Sequence, residues 1–98
     1  MDVDKVFETV EATKEPTVQR QLILNYLTSC LNLLKSDPEA RQDIAYNIAS
    51  LSASGYTQTL DEDDPLDITF AFASELEEED GNHEDWPLLI QLIESLEE

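Results

Sequence analysis

The 98-residue sequence predicts an all-α fold, a compact single-domain bundle of about five helices around a leucine-rich central helix. Three observations lead there. Apolar residues recur at i, i+3, i+4 and i+7 through most of the chain, which places them along one side of a helix. Two Asp-Pro pairs, Asp37-Pro38 and Asp64-Pro65, read as helix starts. In such a pair the carboxylate accepts a first-turn N–H, and proline supplies helical φ where its missing N–H is not needed. Finally, two glycines and four prolines are too few for the tight turns that an all-β chain needs every 8–12 residues or so.

Taken in order, Val3–Ala12 aligns Val3, Val6, Phe7 and Val10 in one stripe and ends at the break Thr13–Pro16. Pro16 then opens a second helix, Pro16–Ser36. Its Val18, Leu22, Ile23, Leu24, Tyr26, Leu27, Cys30, Leu31, Leu33 and Leu34 leave only a narrow polar stripe of Gln21, Asn25, Thr28, Asn32 and Lys35. A helix that apolar needs neighbours on several sides, so it is expected to be the central one, packed by the first, third and fifth.

The Asp37-Pro38-Glu39 signal opens a third helix that should run to about Ser54 and stop at Gly55, a candidate for the left-handed position just past a helix end. Ile44, Ile48 and Leu51 should face the core. Ala45, Ala49 and Ser52 form a small-residue strip, and Arg41, Asp43, Asn47, Ser50 and Ser54 should point outward. Tyr56–Asp64 reads as a loop anchored by Tyr56 and Leu60. Residues 66–76 are ambiguous, because Leu66, Thr69, Phe70, Ala73 and Leu76 fit a helical stripe while Ile68, Phe70 and Phe72 alternate at strand period. Length and the Asp64-Pro65 cap favour a helix. Residues 77–85 form an acidic turn, and a last helix, Trp86–Leu96, aligns Trp86, Leu89, Ile90, Ile93 and Leu96.

Residues 1–98 therefore read as one domain. Its single cysteine, Cys30, allows no intrachain disulfide and suits a reducing compartment. The N-terminus has no signal-peptide pattern and no apolar run is long enough to span a bilayer, so a cytoplasmic protein is expected.

Net charge is −18, and it is uneven. Residues 1–54 hold all five cations against eight acids, whereas residues 55–98 hold 15 acids and no Lys or Arg. Such a chain repels nucleic acid and anionic lipid and attracts basic surfaces. Direct binding to nucleic acid or membrane is not expected.

Catalysis is not expected either. The chain has one His, one Cys and no glycine-rich phosphate loop. Cys30 lies among leucines as a core thiol, His83 reads as a solvated turn residue, and no cofactor is implied. Asp61, Asp63 and Asp67 superficially resemble the start of a calcium loop. However, Leu66 stands where that loop needs glycine and Phe72 where it needs glutamate, so no metal site is expected.

The acidic region is the candidate working surface: Asp61, Glu62, Asp63, Glu75, Glu77, Glu78, Glu79, Asp80, Glu84 and Asp85, with Trp86 as an aromatic anchor beside it. Asp37, Asp64 and Asp67 sit at helix starts, where acids stabilise. Glu75–Asp80 and Glu94, Glu97 and Glu98 sit at helix C-terminal ends, where acids oppose the macrodipole. Carboxylates at i, i+3 and i+4 stand about 5–6 Å apart, a spacing that permits imitation of a phosphate backbone. The expected function is a small noncatalytic interaction module whose carboxylates meet a basic surface of a partner protein. Inhibitors, immunity proteins and antitoxins share that general character, but no motif ties this chain to any of them. The competing reading is a structural or adaptor subunit that self-associates, as in a homodimer, through apolar helix faces, with its acidity serving solubility.

Overall fold

In the computed structural model, which describes residues 3–96, five helices follow one another: α1 (Val3–Ala12), α2 (Pro16–Ser36), α3 (Arg41–Ser50), α4 (Pro65–Leu76) and α5 (Trp86–Leu96). Short 3-10 turns at Pro38–Ala40, Leu51–Ala53 and Thr57–Thr59 fill the connections, and the described residues contain no strand. The Cα radius of gyration is 12.6 Å, close to the roughly 13 Å of a compact domain of 100 residues.

The expected packing is present. α2 lies against α1, α3 and α5, while α4 packs on α3 and α5. Val6 and Val10 of α1, Ile23, Leu27 and Leu34 of α2, Ile44, Ala45 and Ile48 of α3, Leu66, Phe70 and Ala73 of α4, and Leu89 and Ile93 of α5 make one continuous buried core. α2 is not enclosed on every side, however. Val18 is 42% exposed and Leu33 50%, so its neighbours cover one broad face and leave apolar residues near both ends in solvent.

The 66–76 segment is helical. The Asp64 carboxylate accepts the Leu66 N–H at 2.9 Å, Pro65 occupies the first turn, and Leu66, Thr69, Phe70, Ala73 and Leu76 are buried. With no strand beside it to satisfy its backbone, a helix is the one local conformation that pairs those groups internally.

Two expectations for the third helix need correction. Gly55 does not take a left-handed conformation, and no described residue has positive φ. The helix instead tightens into the Leu51–Ala53 turn, and the backbone leaves helical geometry at Ser54, with φ −65° and ψ 149°. Ser54, expected to point outward, is fully buried. Its Oγ lies 2.8 Å from Thr57 Oγ1 and accepts the Thr57 N–H, while Thr57 Oγ1 donates to the Leu51 carbonyl. These hydroxyls satisfy the helix end in place of glycine, and Glu11 of α1 takes the Gly55 N–H at 2.7 Å. The small-residue strip is also only partly used, since Ala45 is buried but Ser52 is exposed.

Candidate functional site

Acids of the C-terminal half gather at the two ends of α4. Asp61, Glu62 and Asp63 are exposed in the turn before it. At its far end Glu75, Glu78, Glu79 and Asp80 are exposed, and Glu77 caps the helix half-buried. Glu84 is exposed and Asp85 half-buried just before α5. A helix of twelve residues separates the two groups by about 18 Å. The acidic region from Asp61 to Asp85 is thus gathered at two separate poles.

Trp86 does not belong to that surface. Its side chain is fully buried, and its indole N–H donates to the Asp80 carbonyl at 2.6 Å. A partner cannot touch it without unfolding the turn, because a ring of that size goes to the core when its one polar atom finds an acceptor there.

Several acids have structural partners that the sequence did not reveal. Asp80 Oδ1 accepts the Asn82 N–H at 2.8 Å and so shapes its own turn. Glu94 pairs with Lys35 of α2 at 3.1 Å, both side chains about half exposed. Glu97 and Glu98 lie outside the described residues. His83 sits between Glu79 (3.7 Å) and Asp85 (3.8 Å), and its Nδ1 accepts the Asp85 N–H. In that arrangement an uncharged ring carries its proton on Nε2, facing Glu79.

The turn itself is clamped from below. Arg41, expected to point outward, donates from Nε to the Leu34 carbonyl at 2.6 Å and from Nη1 to the Gly81 carbonyl at 2.7 Å. It thereby ties the end of α2 to the acidic turn. A shallow polar groove of about 340 Å³ lies beside this clamp, lined by Pro38, Glu39, Gln42, Asp80, Gly81 and Asn82.

At the other pole, Arg20 of α2 makes a two-pronged pair with Asp64, at 3.1 and 3.2 Å, and also reaches the Tyr56 hydroxyl at 3.4 Å. Asp64 therefore caps α4 and holds α2 at once. Hydrogen bonding to the Arg20 guanidinium, aided by the Leu66 N–H, holds the Asp64 carboxyl below the usual carboxylate range against an opposing effect of burial. The folded state thus binds this proton less readily than the unfolded chain. The stabilisation is complete above the unfolded value of about 3.9 and is lost as pH falls through the lower folded value. Asp64→Asn should keep the cap, because Asn caps about as well as Asp. It should remove the ion pair at a loss of about 1 kcal/mol at pH 7 and flatten the acid limb of stability against pH between about 5 and 2. Urea melts across that range measure this, and a wild-type acid limb retained in the variant would exclude Asp64 as its source.

No family model, curated protein or solved structure matches the chain.

Among the described residues, no three His, Cys, Asp or Glu side chains are placed to hold a metal ion. Asp61, Asp63 and Asp67 do not converge. Cys30 is buried, and burial pushes its thiol up, against the smaller opposing effects of hydrogen bonds with Tyr26 and Ser29. Among the described residues, no helix is long and apolar enough to cross a membrane.

One surface residue was missed. Tyr46 of α3 is 63% exposed, more than any other large apolar or aromatic residue described. It borders a groove with Ala49 and Ser50 of α3 and Ser74 and Glu77 of α4. The signal was available, because Tyr46 lies three residues after Asp43 and four before Ser50, both read as outward-facing.

Proposed function

We propose that the protein is a noncatalytic interaction module whose exposed carboxylates, chiefly those at the C-terminal end of α4, engage a basic surface of a partner protein. The single observation behind this reading is the fate of the cations. Arg20 is bound to Asp64, Lys35 to Glu94, and Arg41 to two backbone carbonyls. Three of five cations are thus spent on holding helices and turns together. Meanwhile Glu75, Glu77 and Glu78 enter no ion pair among the described residues, and no basic residue stands in the last turn of α4.

Acids at a negative helix end raise the electrostatic energy of the isolated protein, each by a few tenths of a kcal/mol. A positive partner reverses the sign of that contribution. The outcome would be inhibition, neutralisation or assembly of the partner, with association accelerated by charge and weakened by salt.

The test is affinity capture from the native host at about 0.05 M and about 0.3 M salt, with wild type and a variant carrying Gln at Glu75, Glu77, Glu78 and Glu79. Asp80 is left intact because its side chain shapes the turn. Exposed charges are screened within about 8 Å at physiological ionic strength, so a carboxylate-dependent partner should be recovered at low salt and lost at high salt or with the variant. Recovery indifferent to both would reject the reading. A second variant neutralising Asp61, Glu62 and Asp63 separates the two poles.

A further inference from the structure

We propose that the groove between α3 and α4 receives an arginine side chain from a basic segment of the partner, its guanidinium stacked on Tyr46 and paired with Glu77. This rests on the acidic-surface reading above and assigns it a place. The groove, about 260 Å³, is lined by Tyr46, Ala49, Ser50, Ser74 and Glu77. That is below the roughly 300–1,000 Å³ of small-molecule sites, a size for one long side chain rather than a cofactor.

Its chemistry selects the occupant. Ala49, Ser50 and Ser74 carry short side chains, Tyr46 supplies a largely exposed aromatic ring, and Glu77 supplies the carboxylate at the cap of α4. The last carbonyls of a helix accept hydrogen bonds from basic side chains, and α4 provides none of its own. A guanidinium is planar, stacks on aromatic rings and pairs with a carboxylate through two N–H groups, whereas an ammonium is a compact, strongly hydrated charge. A second copy of this chain is a poor donor, because both of its arginines are already bound within its own fold.

The test is ¹⁵N NMR titration of the whole protein at low salt with an oligo-arginine peptide and an oligo-lysine peptide of equal length. Arginine should produce its largest shifts at Tyr46, Ser50, Ser74 and Glu77. Tyr46→Ala should weaken arginine binding about two- to fivefold and lysine binding less. Glu77→Gln, which leaves the ring in place, should weaken both. Because Tyr46 is mostly exposed, the alanine variant should stay folded, which its undisturbed spectrum checks. Shifts centred on Asp61–Asp63, or a Tyr46→Ala variant that binds arginine as wild type does, overturn the groove and leave the acidic-surface reading standing. Failure of both peptides to bind removes both.

Discussion

Trp86→Ala should be among the most damaging truncations in this chain, lowering stability by about 3–5 kcal/mol. The ring is fully buried at the start of α5, so truncation leaves a cavity that the surrounding helices fill only partly. It also leaves the Asp80 carbonyl without the indole N–H it accepts at 2.6 Å. A domain of this size has about 5–15 kcal/mol in all, and about 1 kcal/mol moves its melting temperature by about 4–8 °C. A drop of about 12 °C or more is therefore expected in a thermal melt. Trp86→Phe largely separates the two contributions, because it keeps most of the volume while removing the donor, for an expected loss of about 1–3 kcal/mol. A small effect from Trp86→Ala would mean that the ring is not part of the core, and would restore it as a candidate for partner contact.

Gly81→Ala is also expected to be damaging, although it adds a single methyl group. The reason is space, since Gly81 has ordinary φ. A β-carbon there would overlap the Pro38 carbonyl oxygen and stand 2.9 Å from its carbon. Neither atom belongs to a flexible side chain, so relief requires moving the acidic turn away from the α2–α3 junction. That movement stretches the bond from Arg41 to the Gly81 carbonyl and disturbs the adjacent Asp80–Trp86 contact. Overpacking of this kind costs about 1–3 kcal/mol, with a change in Trp86 fluorescence as its local signature. Gly55→Ala is the matched comparison. There a β-carbon meets nothing nearer than the Glu11 carboxylate at 3.8 Å, and the lower entropy of the unfolded chain should leave stability unchanged or raised by up to about 1 kcal/mol. Equal effects at the two glycines would show that the Pro38 contact is not close.

Both substitutions bear on the proposed function, because they act on the turn that presents Glu78, Glu79, Asp80 and Glu84. Arg41, Gly81 and Trp86 hold that turn against the bundle, so its carboxylates project from a fixed scaffold. A fixed array loses less entropy on meeting a partner than a mobile one. Loss of partner capture in Gly81→Ala with only a small loss of stability would indicate that position, beyond charge alone, matters to recognition.

The sequence by itself determined the elements. Apolar periodicity, the two Asp-Pro starts and Pro16 act within four residues of one another, and helix boundaries that depend on such contacts, including those of α1, α2 and α5, followed from them. The count of acids was equally legible, and so was the burial of Cys30. Tertiary packing decided what those charges do. Arg20 meets Asp64 across 44 residues, Arg41 meets Gly81 across 40, and Lys35 meets Glu94 across 59. Nothing in the local pattern of a cation states which distant group it will find, because that depends on how the helices cross. The same limit explains Ser54, Trp86 and Gly81. A serine at a helix end, an aromatic beside an acidic run and a glycine in a turn each have several ordinary local uses, and only the neighbouring elements select one. The split of the acidic half follows from α4 itself, which is local, whereas the approach of Glu77 to Tyr46 depends on α4 packing against α3, because no local pattern states which helix will lie beside it.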